Sequence, residues 1–382
     1  MTSLRIALLV NPFTLRRVGR DHAPSLAREL LGRGHVVRGF GTLPGVIPRS
    51  SVEPEVPEVG GSVTQDLPGL RGFAPDVIVA YDVLSPAAWL GARRARKQHV
   101  PLVLVEQGLP AFGRPLERIV RRVGEWLWGP YVRRTATRIV AVDAWVREQV
   151  RREGFRDMDM VTLGSGLDLT VFRPGLASPL PGRHGVRGRL LLHVGQIEEG
   201  RGLDTLIRAF ARTVGQRGDW TLVLCGDGPA GRSLRVLGDR LGVGASLRWL
   251  ARPRDEELPG LLGSATLFAA PTLAEADGTL KIRRALACGL PVLSSDLART
   301  RELVEPDGCG LLVTPGDVEA WTQAIRLAAS SPERRKRWSV RARQLASERM
   351  SWPVIAERYE AVLLAAVEQE RVPAAAPEGA TR

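Results

Sequence analysis

Hydrophobic residues in this chain fall into short unbroken runs, and the runs are separated by stretches with helical spacing. Residues 4–10, "LRIALLV", are apolar almost throughout. A strand buried on both faces of a parallel sheet reads this way, whereas a half-exposed strand alternates. "APSLARELLGRGH" follows as a predicted helix, with Pro24 in its first turn and Gly34 closing it. "VVRGF", "PDVIVAYD" (75–82), "VPLVLVEQG" (100–108) and "ATRIVAVD" (136–143) repeat the strand pattern, with helical sequence between them. Residues 42–63, rich in Pro, Gly and Glu, read as an irregular surface excursion. Strand–helix alternation of this kind predicts an α/β domain with a doubly wound parallel sheet and right-handed crossovers, here over residues 1–175.

The pattern lapses in "RPGLASPLPGRHGVRG" (173–188), whose centre, 176–187, reads as an interdomain linker. It then restarts. "RLLLHVGQ", "TLVLCGDG", "SLRWLAR", "ATLFAAP", "PVLSS" and "GLLVTP" are predicted strands of a second doubly wound domain over 188–350. A last helix, 351–370, is expected to pack back toward the first domain. The Ala/Pro-rich tail, 371–382, reads as disordered. Two Rossmann-like domains joined by a linker imply a facing cleft, with the chemistry in the strand-to-helix loops that line it.

Composition narrows the function classes. At 382 residues, 44% hydrophobic and 25% charged, the chain is an ordinary globular protein of two domains. No run reaches the ~18 apolar residues of a membrane span. The start reads as a strand rather than a signal peptide, so a cytoplasmic location is expected. The three cysteines, Cys225, Cys288 and Cys309, have no metal-ligand spacing, and the five histidines form no HxH or HExxH arrangement. No metal site and no cofactor is expected. The net charge of +13 favours anionic partners.

Three loops of the second half carry the candidate chemistry. "GQIEEGRGLDTL" (195–206) lies between a strand and a helix; Gly195 and Gly202 permit a tight backbone, and Arg201 brings a cation to the helix start. Such convergence suits an anion, although an ordinary loop with a solvated arginine reads the same way. "CGDGP" (225–229) is a glycine-rich strand exit in which Gly226, Asp227, Gly228 and Pro229 could approach a nucleobase or ribose; a plain tight turn is the alternative. "EADGTLKIRRALACGLPVLSSD" (275–296) places Lys281, Arg283 and Arg284 on a short helix behind an acidic loop.

The ordered series of these pieces resembles the GT-B fold glycosyltransferases, close to the retaining family 4 enzymes, over nearly the whole chain. "GSGLDLTVFRP" (164–174), "HVGQIEEGRGLDTLIRAF" (193–210), "RALACGLPVLSSD" (284–296), "GLLVTPGDVEAW" (310–321) and "MSW" (350–352) match family segments in order and spacing. The resemblance implies two Rossmann-like domains and transfer of a sugar, with retention and without a metal, from a nucleotide-sugar donor. The expected acceptor is membrane-associated or part of a cell-envelope polymer. By this resemblance Arg201 matches the diphosphate-binding lysine and Glu275 the acidic residue that grips donor-sugar hydroxyls. Asp277, Gly278, Thr279 and Leu280 would line the sugar-diphosphate pocket through their backbone, and Lys281 matches a cation present in one branch.

Two positions depart from the pattern. Gln196 stands where many members carry arginine. Arg284 stands where a glutamate usually accepts the ribose diol, and arginine has donors only. Arg284 would then face phosphate in place of the missing cation, lie on a solvated helix face, or mark a decayed donor site. A non-catalytic binding or assembly subunit is the corresponding alternative function.

In the first half, Gly19 and His22 in the loop after the first strand, and Glu106 and Gln107 at a later strand exit, are the acceptor-side candidates, with Glu106 grouped with Arg201 and Glu275 as catalytic. Asp21 reads better as a helix cap. Residues 113–134 mix six arginines and two glutamates with Trp126, Trp128 and Tyr131. Interleaving of this kind suits an anionic membrane surface, against an amphipathic helix with its aromatics turned inward. Nucleic acid is the weaker reading, since no binding motif accompanies the charge.

Overall fold

A computed structural model describes residues 2–10, 22–41, 69–108, 124, 126–152, 154, 159–215, 217–275, 279–304 and 308–371. The expected excursion at 42–63 lies outside these residues, as do nearly all of the tail, Gly19, Asp21, Asp277, Gly278 and most of the first half of segment 113–134. The chain divides into two compact units, residues 1–166 with 352–382, and residues 167–351.

The first unit carries strands β1 (Arg5–Val10), β2 (Val36–Gly41), β3 (Val77–Tyr81), β4 (Leu102–Glu106), β5 (Arg138–Ala141) and β6 (Met160–Thr162). All the pairings among them are parallel, in the order β2-β1-β3-β4-β5-β6. The pleat sends alternate residues of β1 to opposite faces, and both faces are covered. Ile6, Leu8 and Val10 enter one apolar cluster, Ala7 and Leu9 the other. The first cluster is completed by the last helix, Trp352–Arg371, through Ile355, Tyr359 and Leu363. Each such fully buried aliphatic side chain contributes roughly 1.5–3 kcal/mol relative to exposure. This helix belongs to the first unit, although the whole second unit precedes it in sequence.

The second unit carries β7 (Arg189–Val194), β8 (Trp220–Cys225), β9 (Leu247–Leu250), β10 (Leu267–Ala270), β11 (Val292–Ser295) and β12 (Gly310–Val313), again all parallel, in the order β12-β11-β10-β7-β8-β9. Leu190, Leu192 and Val194 of β7 face one cluster and Leu191 the other. Residues 167–175 pack with this unit; Leu167 N–H donates to the Met350 carbonyl at 2.7 Å. The segment predicted as a linker contains a short helix, Leu180–Arg183, and the Ser178 amide donates to Ser264 Oγ at 2.8 Å.

Candidate functional site

From β7 the second sheet grows outward through β8 and β9, then returns to the opposite side of β7 as β10. The carboxyl ends of β7 and β10 therefore form a topological switch point, the place where open α/β sheets bind ligands. The loops that leave β7 and β8 are laced together there. Gly195 N–H donates to the Cys225 carbonyl and Ile197 N–H to the Asp227 carbonyl, both at 2.9 Å. The approach is so close that a Cβ on Gly226 would lie 1.7 Å from the Gly195 carbonyl oxygen, so that position admits only glycine.

Arg201 is held in place by its own loop. Its Nη2 donates to Gln196 Oε1 at 2.6 Å and to Glu198 Oε2 at 3.0 Å. Gln196, where many family members carry a cation, thus orients the cation that remains. Lys281 opens the helix Leu280–Ala287. Lys281 is exposed as a residue, yet protein crowding its amine, followed by repulsion from Arg201, Arg252 and Arg284, lowers its pKa to about 8. Thr279 caps the same helix through its backbone carbonyl, which accepts from Arg283 N–H at 3.0 Å, and Leu280 is half-buried beside it.

Arg284, half-buried on that helix, places its guanidinium 5.0 Å from the ring centroid of Phe172. It is therefore not a freely solvated helix arginine. Glu275 lies across the sheet edge, where its carboxylate accepts from Ala298 N–H at 2.6 Å and Arg299 N–H at 3.3 Å at the start of the helix Ala298–Val304.

Beside the glycine loops is a depression of about 270 Å³, bounded by Ile197, Gly226, Asp227, Gly228, Arg235 and Trp249 among others. Arg235 stacks over Trp249 at 5.1 Å. Asp227 and Gly228 are exposed at its rim, and Pro229, next in the chain, is exposed as well. Trp249, Arg235 and Arg252 were missed by motif reasoning because they lie on a helix and on a strand and its exit that carry no glycine signature. His193 was missed as well. Its Nδ1 lies 2.9 Å from the Ala269 carbonyl, so the side chain spans the switch point from β7 to β10. Burial, opposed by that hydrogen bond, together with repulsion from Lys281 and Arg201, pushes its pKa down to about 4. The imidazole is therefore neutral at physiological pH. An imidazole at a strand end just before a glycine turn was the available signal.

The first-unit candidates do not gather in this way. Glu106 is buried, and its Oε1 accepts from Val83 N–H at 2.6 Å, tying the exit of β3 to the end of β4. Gln107 is buried next to it. His22, expected to face substrate, is only 2% exposed and stands among Tyr81, Trp352 and Tyr359. Its ring nitrogens lie 3.0 Å from Tyr81 Oη and 3.3 Å from Tyr359 Oη. The structure corrects that expectation: His22 is a core histidine of the first unit, with the last helix covering it. Trp128 and Tyr131 pack against the first unit's core, whereas Trp126 is 81% exposed and Leu127 56% exposed. Among the described residues no helix is long and apolar enough to cross a membrane.

Comparison with known proteins agrees with this organisation. A family model for the glycosyl transferase 4-like domain matches residues 19–166, and one for glycosyl transferases group 1 matches residues 183–345. The chain is similar to the D-inositol 3-phosphate glycosyltransferase of Rhodococcus jostii, with 28% identity over 311 residues, 77% of this chain and 67% of that protein. It is 30% identical to the enzyme of that name from Mycobacterium tuberculosis over 292 residues, 68% of this chain and 58% of that one. For the one from Saccharomonospora viridis the identity is 32% over 203 residues, 50% of this chain and 46% of that one. The chain thus spans about half to two thirds of the length of these curated relatives. Solved structures share the fold. Anabaena HepE in complex with UDP and glucose superposes with a TM-score of 0.66 at 21% identity, covering 95% of this chain and 100% of that one. A glycosyltransferase from Rickettsia africae gives 0.76 at 12% identity, covering 96% and 100%. With both halves matched in order by glycosyltransferase family models and the two parallel sheets in place, this chain belongs to the GT-B glycosyltransferases, similar to family 4.

Proposed function

We propose that this protein is a retaining, metal-independent glycosyltransferase that moves a sugar from a nucleotide-sugar donor, bound by its second unit, to a membrane-associated or cell-envelope acceptor. The observation that carries the reading is the gathering of Arg201, Arg252, Lys281 and Arg284 at the carboxyl edge of the second sheet, beside the depression walled by Gly226, Gly228 and Trp249. Breaking the bond to the anomeric carbon leaves charge on the departing diphosphate. Fixed cations aimed at that charge stabilise the transition state more than the ground state. In this reading the base occupies the depression and the diphosphate meets the cations. Thr279 and Leu280 lie toward the sugar with Glu275, whose carboxylate is anchored at the helix start at Ala298, beside them, while Glu106 and Gln107 serve the acceptor side.

Two comparisons support the choice of ligands to test. HepE was solved with UDP and glucose, and the curated relatives are named for D-inositol 3-phosphate. The retaining assignment rests on the similarity to family 4. The membrane-side acceptor rests on the exposed Trp126 and Leu127 close in sequence to Arg133 and Arg134, which would place the protein peripherally at the inner face of a membrane. A non-catalytic subunit is the less favoured reading, because glycosyltransferase family models match both halves of the chain.

The test is calorimetric titration of the full chain with UDP, GDP and ADP, followed by turnover of the corresponding nucleotide sugars. D-inositol 3-phosphate and lipid-linked sugars would be offered as acceptors, with and without EDTA. We expect one nucleoside diphosphate to bind, turnover to survive EDTA, and proton NMR to show the donor's anomeric configuration in the product. Absence of binding by all three nucleotides would sink the donor-site reading. Binding without turnover on any acceptor would favour the non-catalytic one.

A further inference from the structure

His193 carries an unused hydrogen-bonding atom. A backbone carbonyl only accepts, so the 2.9 Å contact with the Ala269 carbonyl requires the proton on Nδ1 and leaves Nε2 as a bare acceptor. Nε2 is sealed from solvent and has no hydrogen-bond partner among the described residues, and the residue is 9% exposed. Buried acceptors are nearly always satisfied, so one that is not calls for an explanation.

The surroundings supply a donor. A Cβ built on Gly195 would lie 2.5 Å from His193 Nε2 and 3.2 Å from Lys281 Nζ. The imidazole tip and the ammonium therefore lie against the same bare Cα. A ligand hydroxyl cannot approach Nε2 from solvent, but the lysine beside it has three N–H groups and a flexible stem. Among the described residues, three cations act on Lys281: Arg201 from the loop after β7, Arg252 from the exit of β9, and Arg284 from its own helix. The Cys225 thiol on β8 acts in the opposite sense. A neutral acceptor fixed by the protein tells such an ammonium which way to point without cancelling its charge.

We infer that His193 is a positioning residue: its Nε2 takes one N–H of Lys281 and thereby aims the other two at a phosphate oxygen of the bound donor. The identity of that anion rests on the function proposed above; the pairing of His193 with Lys281 does not. The same geometry accounts for the glycine at 195, since any side chain there would be driven between the two groups.

The chain has three lysines, Lys97, Lys281 and Lys336, so Lys281 can be titrated directly by NMR of isotopically labelled lysine in the full-length protein and assigned with Lys281→Met. In the free protein its midpoint is expected near pH 8. His193→Asn keeps an N–H for the Ala269 carbonyl but removes the acceptor at the tip. It should lower the midpoint by about one pH unit, the size of one hydrogen bond to a charged group. His193→Gln keeps an acceptor at the tip and should recover most of the loss. An unchanged midpoint in His193→Asn overturns the inference. So does an equal fall in both variants, which would indicate loosened packing instead. In UDP and GDP titrations His193→Asn should weaken whichever nucleotide binds by about tenfold, and should add nothing once Lys281→Met is present. If none of UDP, GDP and ADP binds the wild-type protein, the donor reading fails while the lysine midpoint still decides the role of His193.

Discussion

Arg284 lies over the face of Phe172, 5.0 Å from the ring centroid, and this pairing joins the helix Leu280–Ala287 to the segment that enters the second unit. The backbone of Phe172 is held as well, since Arg343 Nη1 donates to the Phe172 carbonyl at 2.9 Å and to the Ala287 carbonyl at 2.8 Å. The stack holds Arg284 where its charge is felt by Lys281.

Replacing this cation with the acid that relatives carry should therefore hurt. Arg284→Glu is expected to weaken nucleoside diphosphate binding about tenfold, by setting a carboxylate toward phosphate and removing a cation–π contact worth ~0.5–2 kcal/mol. Titration calorimetry with UDP and GDP checks this. A gain in affinity would mean that the position serves a ribose diol and that the natural arginine marks a decayed site.

Gln196 and Arg201 should behave as a graded pair. Arg201→Ala is expected to cost ~1.5–3 kcal/mol in binding of the diphosphate and little in binding of the nucleoside, because the lost contact is to phosphate. Gln196→Ala, which removes one tether of the guanidinium and leaves the one to Glu198, should cost ~0.5–1.5 kcal/mol. Equal losses for diphosphate and nucleoside would show that Arg201 acts through folding.

The lowered pKa of Lys281 sets a pH dependence with a definite sign. A phosphate anion favours the ammonium and raises its pKa on binding. Below about pH 8 the amine is already charged, and affinity should be flat. Above it, binding must take up a proton, so affinity should fall as pH rises, and Lys281→Met should abolish the slope. For the free protein the sign is opposite. A lysine whose pKa is lower in the folded state than in the unfolded state lets stability rise with pH from about 8 toward its ordinary value. Calorimetry and urea melts between pH 6.5 and 9.5 measure the two slopes, and parallel slopes would contradict the assignment.

Trp126 and Leu127 are the exposed apolar pair to test at a lipid surface. Trp126→Ala with Leu127→Ser should reduce co-sedimentation with anionic vesicles while leaving affinity for the nucleotide unchanged. Binding of the wild-type protein should weaken as salt rises through the physiological range. Wild-type binding that ignores both the substitutions and the salt would place the membrane contact elsewhere.

The strands were legible in the chain because parallel strands buried on both faces must be continuously apolar. "LRIALLV", "PDVIVAYD" and "TLVLCGDG" announce β1, β3 and β8 without reference to anything distant. The glycines at 226 and 228 were legible because close backbone approach excludes side chains, and the one at 195 because a side chain there would strike His193 and Lys281. Sequence alone thus determined the two repeated α/β patterns, and pointed to the loops after β7 and β8 and before the helix Leu280–Ala287. What each side chain touches was decided by the crossovers. Insertion of β10 next to β7 brings Ala269 to His193, and the fold brings Phe172 under Arg284 and the helix start at Ala298 to Glu275. The return of the last helix to the first unit buries His22 against Tyr359, turning a residue that reads as a loop-side polar group into core. These partners are tens to hundreds of residues apart. Local hydrophobic period encodes which face of an element is buried, whereas the order in which elements stack across a sheet is set only when the whole chain packs.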